Sequence, residues 1–277
     1  MTAAETRFRA AFFDVDGTLV DSNRRFHPLT VAAIHRMREQ GFGRSLATGR
    51  MWRSARPFAE AIAADLPLVL YNGARVTDPT SGRTLEEVLL PLAQATFGVE
   101  AARRHGLHIN YYLGDDLFVE RLDERALGSM VKDGSDPQRV ESLDRLLDRD
   151  PVKLLCIGTP EQCDAFKAEV DRGAPGPKRP TVVRSEPEYV EVLAPGVTKG
   201  GGLAVALRHA GLAPSEVVAF GDNLNDLELL ELAGLGVAPG DGHPGAVQRA
   251  DRVIGDHDSD AVGRALFDIF ALEREAG

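Results

Sequence analysis

The sequence predicts an α/β protein, a doubly wound parallel-sheet core interrupted by an inserted α+β module. Three observations carry this. Short apolar runs alternate with amphipathic segments over the first 75 residues, the same alternation returns after residue 198, and the stretch between mixes hairpins and helices without it. A length of 277 residues suits a core with a second module, and 43% hydrophobic with 27% charged residues is the balance of a packed globular chain.

Taken in order, Arg9 to Val15 (RAAFFDV) reads as a buried strand. Pro28 to Gln40 sets Val31, Ile34 and Met37 at three-residue steps on one helical face and stops at Gly41, a favourable residue past a helix end. Arg44 to Thr48 is a second strand, Met51 to Ala64 a second helix and Leu66 to Tyr71 a third strand, giving a βαβαβ unit. Ala74 to Val88 reads as a hairpin turning about Asp78-Pro79-Thr80-Ser81-Gly82. In the middle, a helix over Leu92 to His105 precedes strands at Leu107 to Tyr112 and Leu117 to Arg121, joined by Gly114-Asp115-Asp116. Helices follow around Pro137 to Arg149 and Pro160 to Asp171, with strands at Val152 to Ile157, Thr181 to Arg184 and Tyr189 to Leu193, and a loop at Gly173 to Pro177. The core pattern resumes with helix Gly200 to His209, strand Glu216 to Phe220, helix Leu224 to Ala233, strands Leu235 to Ala238 and Arg252 to Ile254, and helix Ser259 to Glu275.

Composition excludes several function classes. With 32 Lys and Arg against 42 Asp and Glu the net charge is −10, and no basic stripe offers itself to phosphate backbones, so nucleic acid is not expected as a partner. Met1 to Arg9 lacks an apolar leader and no window reaches 18 apolar residues, so neither export nor membrane spanning is expected. Cys156 and Cys163 fit no CxxC or zinc-ribbon spacing and read as reduced, buried thiols of a cytoplasmic protein. The seven His show no HExxH spacing, the serines no G-x-S-x-G elbow, and the glycines neither G-x-G-x-x-G nor a Walker loop.

Four short motifs carry the chemistry. Asp14-Val15-Asp16-Gly17-Thr18 stands where a buried strand meets a glycine turn, the end of a strand at which open α/β sheets bind ligands. Asp14 is placed as a nucleophile and Asp16 as general acid and base, and the two can share a hard cation. Thr48-Gly49-Arg50 ends the second strand, where a hydroxyl and the Gly49 N–H can hold phosphate oxygens, although alone it is an ordinary turn into a helix. Lys199 precedes Gly200-Gly201-Gly202 and an apolar helix, able to neutralise a phosphoryl oxygen or, taken alone, merely a solvated lysine. Gly221-Asp222-Asn223-Leu224-Asn225-Asp226 follows a buried strand and opens a helix, so Asp222 can complete an oxygen set for Mg²⁺ with Asp226 one turn behind it.

In this order the four motifs resemble the haloacid dehalogenase (HAD) superfamily of phosphotransferases. The resemblance implies a Rossmann-like core in which Asp14 forms an aspartyl-phosphate and Asp16 is acid and base. It makes Thr48, Gly49, Lys199 and Asn225 the phosphate-binding residues, assigns the Mg²⁺ to Asp14, Asp16 and Asp222, and puts Asp226 behind them. Asp14 and Thr48 are 34 residues apart, too few for an early cap, whereas 151 separate Thr48 from Lys199. A minimal core uses about 40 to 50 of those, leaving roughly 100 for an insertion. This looks like a type II cap over residues 83–193 within a core of residues 1–82 and 194–277, and Tyr71-Asn72-Gly73-Ala74 and Glu188 to Val192 add a similarity to Cof-type phosphatases. Ala238-Pro239-Gly240-Asp241-Gly242 departs from the Gly-Asn-Ala common there, adding a carboxylate. The expected activity is Mg²⁺-dependent hydrolysis of a small phosphorylated metabolite such as a sugar phosphate, with a cap that closes on the substrate. A phosphomutase or phosphotransferase on the same scaffold, or a metabolite-binding regulator without turnover, are the alternatives. Tyr111, Tyr112 and Arg121 are candidate substrate contacts in the cap, and the oligomeric state is open.

Overall fold

The computed structural model describes residues 7–124, 127–128 and 136–273. Residues 1–6, which bear on the expected lack of a leader, and residues 274–277, which include the end of the last predicted helix, lie outside the described residues. Packing divides the chain into two units. One comprises Met1–Gly49, Ala55–Glu86 and Thr198–Gly277, the other Arg50–Ser54 and Glu87–Val197. Among the described residues no helix is long and apolar enough to cross a membrane.

In the first unit five parallel strands run in the order β14-β13-β12-β1-β2. They are β1 (Ala10–Phe13), β2 (Gly43–Leu46), β12 (Val217–Phe220), β13 (Leu235–Pro239) and β14 (Arg252–Ile254). All four residues of β1 are buried, as both faces of a parallel sheet must be when helices cover them. Phe12 joins a core of Val69, Leu203, Leu207, Val217 and Leu229, while its neighbour Phe13, pointing the other way, stacks on Phe220 at 5.1 Å. The chain leaves β1 for β2 on one side and later returns to place β12 on the other. The crevice outside the carboxyl ends of β1 and β12 is therefore the topological switch point where such sheets bind ligands.

Helix α1 (Pro28–Glu39) is capped by the His27 ring, which accepts the Leu29 N–H. Its buried stripe is Thr30, Ala33, Ile34 and Met37, and Val31 is exposed. The three-residue steps expected from the sequence drift round a 3.6-residue turn, so the face is set by the i, i+3, i+4, i+7 pattern instead. Helix α2 (Trp52–Ala61) follows β2. The third strand, β3 (Leu68–Leu70), is not a full member of the parallel sheet: it meets it through a single Ala47–Val69 bridge and pairs antiparallel with β4 (Arg75–Thr77), to which β5 (Thr84–Glu87) adds. The expected hairpin turn is present, with the Asp78 carboxylate accepting from the Ser81 N–H and hydroxyl.

The second unit holds a six-stranded sheet in the order β10-β11-β9-β6-β7-β8. Its strands are β6 (His108–Leu113), β7 (Asp116–Val119), β8 (Gln138–Arg139), β9 (Lys153–Ile157), β10 (Thr181–Glu186) and β11 (Tyr189–Leu193). Pairing is antiparallel except between β7 and β8. Helices α3 (Leu92–Arg104) and α4 (Pro160–Gly173) cover one face, packing Ala95, Val99, Phe166 and Val170 against Tyr111, Leu154, Cys156 and Val192. The start of α4 is fixed by a capping box between Thr159 and Gln162. The helix expected around Pro137 to Arg149 does not form. Its first residues pair with β7 as β8, the Val140 N–H donates to the Val119 carbonyl, and Ser142 caps only a single 3₁₀ turn over Leu143–Leu146. Strand pairing took the backbone groups that a helix would have used.

The remaining core helices are α5 (Lys199–Ala210), α6 (Leu227–Leu232), α7 (Pro244–Arg249) and α8 (Ala261–Ile269). Helix α7 is absent from the sequence expectation. It is short and depends on the His243 ring, which accepts the Gly245 N–H at its start. Helix α8 packs so closely on the start of α1 that a Cβ at Gly263 would meet the Leu29 carbonyl carbon at 2.6 Å.

The face of the six-stranded sheet opposite α3 and α4 carries His108, Asn110, Tyr112, Lys153 and Glu191, all buried. Lys153 Nζ donates to Glu191 Oε2 at 2.5 Å, with both side chains almost fully buried. Removing one partner strands a buried charge, whereas removing both does not. Lys153→Met should therefore cost about 3–5 kcal/mol in chemical denaturation, and Lys153→Met combined with Glu191→Leu should recover most of it. Equal losses in the single and double variants would show that the pair is not coupled.

Candidate active site

Asp14 stands immediately past β1, its N–H held by the Phe220 carbonyl at 2.9 Å, so the end of β12 fixes the backbone from which its carboxylate projects. Asp222 stands two residues past β12. Gly17 lets the chain turn between them. It sits at φ +76°, and a Cβ there would lie 2.6 Å from Asp222 Oδ2, so a side chain is barred both by backbone strain and by the carboxylate. Thr18 donates its hydroxyl to Asp222 Oδ1 at 2.8 Å, tying the first motif to the fourth across 204 residues of chain.

Lys199 is the first residue of α5, whose cap is the Thr198 hydroxyl accepting the Gly201 N–H at 3.1 Å. The lysine is fully buried, not solvated. Its ammonium lies 2.9 Å from Asp14 Oδ1 and 2.6 Å from Asp226 Oδ1. Asp226 Oδ2 in turn accepts the N–H groups of Asp222 at 3.1 Å and Asn223 at 3.0 Å. Asp226 thus anchors the lysine with one oxygen and shapes the metal-motif loop with the other.

Asp14, Asp222 and Asp226 form a cluster whose carboxylate oxygens lie within 4.8 Å of one another, the acidic group among the described residues with metal-binding geometry. Asp16 is half-buried outside it, with its backbone bridged to Val20. Crowding shows in the acidities. Burial pushes the Asp14 carboxyl well above the usual range, with Lys199 opposing and Asp226 and Asp222 adding to the rise. Burial and the neighbouring Asp226 push Asp222 up to about 6, against the Thr18 hydroxyl and Lys199. For Lys199, burial favours the neutral form but is outweighed by Asp14 and Asp226, so it is held as an ammonium. Both oxygens of Asp226 are engaged, by Lys199 and by the Asp222 and Asn223 N–H groups, and the three carboxylates together form an all-oxygen set of the kind that suits a hard cation.

Thr48 and Gly49 end the strand next to β1. The Thr48 N–H donates to the Val69 carbonyl at 2.9 Å, and its own carbonyl accepts the Asn72 N–H at 3.0 Å. Asn225 Nδ2 donates to Asn72 Oδ1 at 2.9 Å. Asp14, Asp16, Thr48, Gly49, Lys199, Asp222, Asn225 and Asp226 therefore all belong to the first unit, whereas Arg50, the last residue of the second motif, falls in the other. Two contributors were not anticipated, Thr18 and Asn72. The signal for Asn72 was present in Asn72-Gly73 after an apolar strand, a turn signature that places a polar side chain at a strand end.

Other expectations resolve differently. Tyr111 lies on the helix-covered face of the six-stranded sheet, its hydroxyl donating to the Leu146 and Arg149 carbonyls, so it packs the core. Tyr112 is on the opposite face, and Arg121 lines a pocket of about 150 Å³ with Arg103, His108 and Glu120. Asp241 accepts the His257 N–H at 2.9 Å and faces its ring at 2.5 Å, which together outweigh burial and hold its carboxyl below the usual range. Cys156 and Cys163 are free and buried.

Comparison with known proteins gives the same answer as this geometry. The family of haloacid dehalogenase-like hydrolases matches residues 11–266. The pyridoxal phosphate phosphatase YbhA of Escherichia coli is 27% identical over 274 residues, covering 94% of this chain and 97% of its own. The 5-amino-6-(5-phospho-D-ribitylamino)uracil phosphatase YitU of Bacillus subtilis is 28% identical, covering 97% and 100%. A haloacid dehalogenase-like hydrolase from Bacteroides thetaiotaomicron superposes with a TM-score of 0.86 at 27% identity, over 95% of this chain and 100% of that one. With its motifs gathered at the switch point of a parallel sheet, the chain belongs to the haloacid dehalogenase-like hydrolase family as a Cof-type phosphatase.

Proposed function

We propose that this protein hydrolyses a small phosphorylated metabolite, a sugar phosphate or similar phosphomonoester, through a phosphorylated Asp14. The observation that carries the reading is the buried Lys199 ammonium held between Asp14 and Asp226. An ammonium has three hydrogens. Two are directed at these carboxylates, which leaves the third for a phosphoryl oxygen, and the contact to Asp14 favours the ionised nucleophile in opposition to its burial. The phosphatases named above act on phosphorylated small molecules, which supports the same substrate class.

In this reading an Asp14 oxygen attacks phosphorus as the bond to the leaving oxygen breaks, and Asp16 gives that oxygen its proton. Asp16 then takes a proton from water, whose oxygen attacks the same phosphorus and returns Asp14 as a carboxylate. Thr48, the Gly49 N–H, Lys199 and Asn225 hold the phosphoryl oxygens in place. Asp14 and Asp222 would hold Mg²⁺, with Asp226 setting the loop behind them, and the ion supplies neutralisation of phosphoryl charge when bound. Residues 83–193 serve as the cap that selects the leaving group. The free buried thiols suit a cytoplasmic setting.

Phosphate release from phosphorylated sugars, nucleotides and cofactors, with and without Mg²⁺, tests the reading. Asp14→Asn should lower turnover by about 10³-fold or more while leaving the fold intact, and Mg²⁺-dependent release surviving in that variant would defeat it. Asp226→Asn must turn an amide NH₂ either toward the Lys199 ammonium or toward the Asp222 and Asn223 N–H groups. It should raise the Mg²⁺ concentration for half-maximal activity by about 10- to 100-fold, as replacing a ligand's supporting partner does. An unchanged Mg²⁺ requirement would remove Asp226 from that role.

A further inference from the structure

Two consecutive non-glycine residues at the end of β3 are left-handed, Tyr71 at φ +51° and Asn72 at φ +55°, followed by Gly73 at φ +98°. Left-handed backbone disfavours side chains, and such strain persists where the surroundings hold it in place. Here the surroundings are three separate pieces of the candidate site. The Asn72 N–H donates to the Thr48 carbonyl at 3.0 Å, and a Cβ at Gly49 would lie 3.2 Å from the Asn72 amide, so the phosphate-binding turn is seated directly on this side chain. Asn72 Oδ1 accepts from Asn225 Nδ2 at 2.9 Å. Gly73 packs against the start of α5, where a Cβ would strike the carbonyl oxygen of Thr198 at 2.0 Å, and Gly202 approaches Gly73 so closely that its own Cβ would lie 2.8 Å from the Gly73 Cα. Asn225 gives Asn72 one of the two hydrogens of its side-chain NH₂, so Asn72 orients that NH₂ and leaves its second hydrogen as the one a phosphoryl oxygen would accept.

From this we infer that Asn72 is a positioning residue for phosphoryl binding: its amide sets the distance between the Thr48-Gly49 turn and Asn225, so that the two grip one phosphoryl group together. The inference rests on the proposed phosphatase reading, in which those residues hold phosphate. Asn72 is assigned no contact of its own with substrate. Its effect passes through Asn225 and Gly49, and the left-handed turn keeps the Lys199 end of α5 in the same register.

The test uses Asn72→Gly, because glycine adopts the left-handed backbone freely and the turn survives the loss of the amide. With p-nitrophenyl phosphate and Mg²⁺, KM and the inhibition constant of orthophosphate should both rise about tenfold, while the melting temperature shifts by no more than about 2 °C. Asn225→Ala should give a similar rise, and the double variant should be no worse than the poorer single one, because the two side chains act as a unit. Unchanged KM and orthophosphate inhibition in Asn72→Gly, or effects that multiply in the double variant, would overturn the inference while leaving wild-type phosphatase activity in place. If the wild type hydrolyses nothing, the phosphatase reading has failed separately, and ¹H–¹⁵N spectra decide the coupling: the Asn225 side-chain NH₂ pair should shift on Asn72→Gly, and an unmoved pair refutes it.

Discussion

A positive charge with no access to water must be matched by anions at contact distance, and the ammonium of Lys199 is matched by Asp14 on one side and Asp226 on the other. The condition reaches well beyond the lysine. Asp14 belongs to the end of β1, Asp226 to the turn after β12 and Lys199 to the first residue of α5, so satisfying one buried cation fixes the relative positions of three segments remote in sequence. It also sets the chemistry. Asp14 is pushed toward the neutral form by its burial and by two neighbouring acids, and Lys199 is the group that opposes this. A carboxylate paired with an ammonium and little hydrated is a better nucleophile, when ionised, than one solvated by water.

The sheet supplies the frame on which that ion triplet is assembled. Because β1 is flanked by β2 and β12 and connections leave it in opposite directions, the loops after β1 and β12 diverge and open a crevice at their carboxyl ends. Small residues bring the loops to contact: Gly17 lies against the Asp222 carboxylate, and Gly221 against Asp226 at a distance where a Cβ would meet the Asp226 Cβ at 2.5 Å. Thr18 and Asn72 then add hydrogen bonds between motifs, to Asp222 and to Asn225. The site is thereby tied by direct side-chain bonds as well as by the backbone.

Much of this was legible in the sequence, for a physical reason. Parallel strands are short, apolar and buried on both faces, so β1 and β12 announce themselves as AAFF and VVAF, and a polar residue just past such a run marks a loop at the sheet's carboxyl end. That places Asp14, Thr48 and Asp222 without further information. Which acids converge is not a local property: Asp226 lies inside the carboxylate cluster and Asp16 outside it, a result of how the turn after β12 folds back on Lys199. Burial of Lys199 was equally hidden, since a lysine before three glycines looks solvated until the partners that neutralise it are known. In the second unit, residues 137–149 carry apolar spacing compatible with a helix, yet the open side of β7 captured Gln138–Arg139 as a strand. Such competition between local propensity and sheet pairing is decided by tertiary structure. Val31, Tyr111 and the short helix α7 were missed for related reasons, in that helical phase, strand face and side-chain capping all depend on neighbours distant in sequence.

The account stands or falls on the Asp14 carboxylate as the group that receives phosphorus. Rapid acid quenching during turnover of a hydrolysed phosphomonoester in the presence of Mg²⁺, followed by borohydride reduction and peptide mass spectrometry, reads this directly, because an acyl phosphate is reduced to the alcohol while a free carboxylate is not. The account predicts homoserine at position 14 in the wild type and none without substrate. Phosphate released with residue 14 unconverted at every quench time, or with the modification on another side chain, would contradict it.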